Sequence, residues 1–249
     1  MKVITISMSS DCIKNPPCYF CFQKDQRTRK DQYNFPSDNK LQHLIRETWK
    51  GEEITVCYEY SGYYLADIDH TWYYERWKDE KPEVVFTMTT MPEAVTAQFI
   101  GYVKNNSPIR AIALSYDSEK CSKPFDWYYK ANLLKEAGFK VSCNYLLEPY
   151  RVGIYLTGNM LNSMDQLNLL SYKPTGEIPY VNRFTLKLNI EELKPRIPIA
   201  LDNCLGYQLG YTDKCHKGED FIHVLPDGTI TDCCFKEKCY LYEKQTSRL

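Results

Sequence analysis

Three cysteines fall within ten residues in Cys12-x5-Cys18-x2-Cys21, inside the stretch SDCIKNPPCYFCFQKD (10–25) that follows the apolar opening KVITISM. Three thiolates at that spacing can close on one metal centre. A tetrahedral zinc site would need a fourth ligand, and His43 and His70 are both distant in sequence. A redox pair at Cys18-Tyr19-Phe20-Cys21 would leave Cys12 unused. A four-iron cluster held by only three cysteines keeps one iron open, and an open metal site is where substrate chemistry can occur.

A second group closes the chain: Cys204, Cys215, Cys233 and Cys239. The stretch CHKGEDFIHVLPDGTITDC (215–233) reads as two short strands, FIHVL and TITDC, joined by a Pro-Asp-Gly turn. Such a hairpin would bring Cys215 and Cys233 together. Four thiolates there could saturate a second iron–sulfur cluster or form a zinc knuckle. Cys234 is the adjacent alternative to Cys239 as fourth ligand. Cys57, Cys121 and Cys143 fall in or beside strands and read as small buried apolar residues.

The elements that must position these groups follow from pattern. VITIS, EITVCYEY, EVVFTMT, AIALSY, KVSCNYLL and LNLLSY read as strands, most of them separated by helical periodicity. LQHLIRETW and FDWYYKANLLKEAG have helical spacing, the second stopped by Gly138. Thr90-Met91-Pro92-Glu93 reads as a capping box before a helix that buries Val95, Phe99, Ile100 and Val103. Several strands look apolar on both faces, as parallel strands covered by helices do. The fold expected is α/β with repeated βαβ units over 1–185. Residues 186–249, with five cysteines, turn signals and no long helical pattern, are expected to form a separate small domain.

The 249 residues carry a formal net charge of −1, which gives no bulk attraction to nucleic acid. The basic run KDQRTRK (24–30) reads as a solvated loop, so a nucleic-acid partner is disfavoured. No apolar run approaches the ~20 residues of a membrane span, and no signal-peptide pattern opens the chain. Eleven cysteines, an odd number bunched at both ends, point to metal ligation in a reducing, cytoplasmic compartment rather than to a disulfide framework.

The first cysteine group resembles that of the radical S-adenosylmethionine (SAM) superfamily, in which three cysteines after the first strand hold a [4Fe–4S] cluster. The usual spacing there is C-x3-C-x2-C; here the first gap is five residues, and Phe20 matches the aromatic residue before the last cysteine. The resemblance covers most of the chain and implies a partial (βα)6 barrel. It also implies SAM contacts near Gly62, in YEYSGYYLAD, although the family's glutamate is missing there and Glu59 is the nearest carboxylate. Further contacts are implied at Thr90 in TMTTM, and at Ser115 and Asp117 in LSYDS. The C-terminal cysteines resemble the start of a SPASM/twitch extension, which implies a twitch-like cysteine-rich domain with a second, auxiliary [4Fe–4S] cluster on Cys204, Cys215, Cys233 and Cys239.

The activity implied is reductive cleavage of SAM to a 5′-deoxyadenosyl radical that abstracts hydrogen from a small-molecule or peptide substrate. A one-electron donor such as flavodoxin or ferredoxin is the implied partner, and no membrane is involved. No catalytic side chain is singled out. The alternative is a non-catalytic iron–sulfur or zinc-binding protein that keeps the barrel.

Overall fold

A computed structural model describes residues 2–7, 12–14, 18, 21, 43, 47–60, 84–117, 123–148, 153–172, 183–214, 216, 218–225 and 229–233. Seven strands follow one another in chain order and lie side by side: β1 (Lys2–Ser7), β2 (Ile54–Glu59), β3 (Val85–Thr90), β4 (Ala111–Tyr116), β5 (Lys140–Leu146), β6 (Gln166–Leu170) and β7 (Ile199–Leu201). All six pairings among them are parallel. β8 (Phe221–Val224) then pairs parallel to the other edge of β1, and β9 (Ile230–Thr231) pairs antiparallel to β8. The result is one curled nine-stranded sheet, a half-barrel.

This corrects the expected fold class. The expected barrel of six strands with a separate twitch-like cysteine-rich domain is not what forms. The FIHVL…TIT hairpin is present, but it extends the main sheet from β1. β7 extends the same sheet at the opposite edge. No cysteine-rich domain forms among the described residues. The physical reason is pairing. β1 has two edges, and β8 satisfies the one that β2 leaves open. Ile222 and Val224 stand beside Ile4 and Ile6 in register, so docking β8 also continues the apolar face.

Five helices are described: α1 (Ala97–Asn106), α2 (Pro124–Glu136), α3 (Gly158–Asn162), α4 (Arg183–Leu193) and α5 (Asn203–Leu209). Two details differ from the sequence reading. Helix α4 crosses the expected boundary near residue 185, where no long helix was expected. The capping box at Thr90 does not form, because Pro92–Ala94 makes a 3-10 turn and Thr96 caps α1 by accepting from the Phe99 amide. The Thr90 hydroxyl donates instead to the Tyr60 carbonyl at 3.1 Å.

Sequential order with right-handed crossovers places the connecting helices on one side of the sheet. That side is apolar. Ile4, Ile6, Val56, Tyr58, Met88, Ile112, Leu114, Val141, Leu167 and Leu169 form one core with Phe99 and Val103 of α1 and Trp127, Ala131 and Leu134 of α2. The Trp127 indole N–H donates to the Leu114 carbonyl, so α2 is pinned to β4 as well as packed on it. Gly138, at φ +96°, supplies the left-handed residue that turns α2 into β5.

Because β8 belongs to the main sheet, Ile222→Ala should lower global stability by about 2–5 kcal/mol in one cooperative denaturant transition. A separate early transition confined to the C-terminal segment would contradict this continuity. The same seam carries an ion pair between Lys2 and Asp220, at 2.5 Å. The Lys2 hydrogen bond, opposed by partial burial, holds the Asp220 carboxyl below its usual range. Asp220 is 41% exposed, so solvent screening limits the pair to roughly 0.5 kcal/mol. A depressed carboxyl contributes above its unfolded pKa of about 3.9, and loses that contribution as pH falls through the folded value. Asp220→Asn should therefore destabilise slightly at neutral pH, with the difference vanishing in strong acid, as followed by denaturation midpoints at several pH values.

Candidate functional site

Strand alternation turns every second side chain to the face opposite the helices. In register, that row reads Thr5 and Ser7 on β1, Cys57 and Glu59 on β2, Thr87 and Thr89 on β3, Ala111, Ala113 and Ser115 on β4, Ser142 and Asn144 on β5, and Gln166 and Asn168 on β6. The inner face is thus polar or small at nearly every position. The expectation of strands apolar on both faces is wrong here. Its correction is readable in the alternation of ITVCYE, VFTMTT and KVSCNYL, where Ile54, Val56, Tyr58, Phe86, Met88, Val141, Cys143 and Tyr145 belong to the core face.

Two hydrogen-bonded groups occupy this face. In the first, the Ser7 hydroxyl donates to Glu59 Oε2 at 2.6 Å and lies 2.9 Å from His223 Nε2. Serine has one proton to give, so His223 Nε2–H is the donor in the second contact, which fixes that tautomer. His223 and Ser7 are buried, whereas the Glu59 side chain keeps 30% of its exposure. The second group is uncharged. Asn144 Nδ2 donates to Thr89 Oγ1, Asn168 Nδ2 donates to Asn144 Oδ1 at 2.8 Å, and Gln166 Nε2 donates to Asn168 Oδ1 at 2.6 Å. Cys57 Sγ lies 3.4 Å from Thr89 Oγ1, and burial pushes its thiol pKa up. Cys57 therefore sits on the polar face rather than in the core, while Cys143 is in the core as expected.

The carboxyl ends of parallel strands open onto this face, the place where α/β folds bind ligands. The first cysteine loop leaves β1 there. Cys12 Sγ accepts from the Lys14 amide at 3.5 Å, and the Lys14 ammonium pairs with Glu93 beyond the end of β3. The Cys21 amide donates to the Cys18 carbonyl at 2.9 Å, so the two residues bracket a tight turn. Cys18 is buried against Leu146 at the end of β5, with Cys21, Leu170 and Tyr172 packed around them. The loop thus starts at β1 and seats itself on the ends of β5 and β6, across the mouth of the half-barrel.

None of the seven described cysteines forms a disulfide. Three thiols on one loop, with an apolar cover, are a donor set that suits an iron–sulfur group. Their side chains are not drawn to one point, since among the described residues no three His, Cys, Asp or Glu side chains are gathered closely enough to hold a metal ion. Cys204 lies on α5, just after β7, and Cys233 just after β9, so they follow strands at opposite edges of the sheet. Cys215, Cys239 and Cys234 lie outside the described residues, as do Phe20 and Gly62.

The remaining site candidates sit at strand ends. Thr90 is buried and bonded to Tyr60. Ser115 is buried on the polar face of β4, opposite Asn144. Asp117, directly after β4, is buried as well. Residues the sequence reading passed over are Ser7, His223, Asn144 and Asn168. It noted Glu59 but left its direction open, and the structure turns it onto the inner face.

Ser7→Ala removes the hydroxyl that joins Glu59 to a buried imidazole. It should cost about 1–3 kcal/mol at neutral pH by chemical denaturation. A cost near zero would mean the group is not formed in solution. Comparison of the chain with protein-family models and with curated protein sequences returns no match.

Proposed function

We propose that this chain is a SAM-dependent radical enzyme that abstracts hydrogen from a small-molecule or peptide substrate held on the inner face of the sheet. The observation that carries the reading is the three-cysteine loop, which leaves β1 and seats on the ends of β5 and β6. When bound, a [4Fe–4S] cluster with SAM supplies a 5′-deoxyadenosyl radical, the hydrogen-abstracting species.

The chain's own residues do the rest. Cys12, Cys18 and Cys21 would hold the group, and Leu146, Leu170 and Tyr172 would keep water from it. The Lys14–Glu93 pair fixes the loop against the end of β3. Glu59 presents a carboxylate on the inner face, held by Ser7, in the region where the sequence lacks the expected glutamate motif. It is suited to receive an ammonium group. Ser115 and Asp117 offer a hydroxyl and a second carboxylate at the end of β4. A one-electron donor such as ferredoxin or flavodoxin would be required. No helix among the described residues is long and apolar enough to cross a membrane.

A second reading, an iron–sulfur or zinc-binding protein without turnover, is favoured by the missing glutamate motif near Gly62 and the five-residue gap between Cys12 and Cys18. One experiment separates the two. Anaerobically reconstituted chain should carry roughly four irons and, with reductant and SAM, release 5′-deoxyadenosine. The Cys12, Cys18 and Cys21 to alanine triple variant should lose roughly four irons and all of that product. Full iron content in the triple variant would sink the assignment. Iron without product, in the unsubstituted chain, would establish the second reading. About one zinc and no iron would exclude the radical chemistry.

A further inference from the structure

The uncharged row across β3, β5 and β6 has a shape and chemistry of its own. Asn144 reaches from β5 over β4 to Thr89 on β3. It can do so because β4 places only small side chains beneath it, Ala113 opposite Thr89 and Ser115 opposite Asn144. The row therefore crosses β4 over two small side chains, one ending in a methyl and one in a hydroxyl group. Asn144, Asn168 and Gln166 are all half-buried, not sealed off. An amide side chain has two N–H donors and a two-lone-pair oxygen. The bonds within the row use one N–H from each of Asn144 and Asn168 and one lone pair from each oxygen. One N–H of each, and the carbonyl of Gln166, remain to face a ligand. Their neighbours hold the amide planes in place, so little side-chain entropy is lost on binding.

The pattern selects a class of ligand. The row contains no charged side chain, so a carboxylate or phosphate lying on it would meet no counter-charge. The acid–base pair of this face, Glu59 and His223, lies on β2 and β8, outside the row. Peptide backbones are commonly read by adding a strand to a sheet edge, and this row is on a face. Fixed amides with both donors and acceptors, over small residues, match vicinal hydroxyl groups, each of which donates and accepts.

We infer that the Thr89–Asn144–Asn168–Gln166 row is the binding floor for a neutral polyhydroxylated ligand, a sugar ring or its glycoside. The inference rests on the radical reading only for what is then done to the ligand.

The test is saturation-transfer NMR on the full chain as isolated, with the methyl glycosides of glucose, galactose and mannose as probes. Iron content is measured on the same sample, so loss of the cluster reading and loss of this one are told apart. At least one glycoside should receive saturation, with methyl glucuronide weaker. Asn168→Ala and Gln166→Ala should each weaken binding by about fivefold, and together by more than tenfold. Gln166 is at the end of the row and half-exposed, so its variant remains informative if Asn168→Ala does not fold. The inference is overturned if no glycoside binds, if glucuronide or N-acetylglycine methylamide binds better, or if a folded variant binds as the unsubstituted chain does.

Discussion

β1 is hydrogen-bonded on both edges, to β2 on one side and β8 on the other, through residues that alternate between two environments. Ile4 and Ile6 enter the core, while Thr5 and Ser7 face the inner surface. A slip of one residue in either pairing would exchange those faces, burying hydroxyls among Val56, Tyr58, Ile222 and Val224. The register of β1 therefore sets both the apolar core and the polar lining. It also sets where the cysteine loop begins. Ser7 is the last residue of the strand, and its hydroxyl is already committed to Glu59, so the chain leaves the sheet at a fixed point and height.

Docking β8 on β1 also constrains the curvature. The chain passes from β7, at one end of the sheet, to β8, beyond β1. On a flat sheet those strands would lie about 34 Å apart, at ~4.8 Å per strand. Segment 202–220 makes the crossing with helix α5 and a left-handed cap at Gly210, φ +75°. Curling the sheet shortens that path. It also lets the loop after β1 rest on the ends of β5 and β6. The hairpin therefore serves as the closing strand of the half-barrel's near edge, and the apolar identity of Ile222 and Val224 follows from that role.

Much of this was readable. All six strands expected from pattern are present, as are the helices at 97–106 and 124–136 and the turn at Gly138. Local periodicity sufficed because each element carries its own apolar stripe. What was not readable depended on long-range pairing. The hairpin FIHV…IT is evident as a hairpin, yet nothing local says that its partner lies over two hundred residues earlier. The capping box at Thr90 failed for a similar reason, since the Tyr60 carbonyl at the end of β2 competed successfully for the hydroxyl. The cysteine loop could be placed after β1 from sequence, but its seat on Leu146 could not.

The inner face divides by charge, and the division has a cause. A carboxylate and an imidazole on a partly covered surface need hydrogen-bond partners. Ser7 supplies one to both, where β1, β2 and β8 meet. In the middle of the face, from Thr89 through Ala113 and Ser115 to Asn144 and Asn168, the residues are hydroxyls, amides and an alanine. The Glu59–Ser7–His223 group thus lies on one flank of the half-barrel, and the neutral amide row in its middle. The three-thiol loop spans the mouth above both regions. A reactive species generated under that loop would meet a ligand held by neutral groups, with the Glu59–Ser7–His223 group to the side. In that geometry the amides would set which carbon is presented, with the Glu59 carboxylate beside the ligand rather than beneath it.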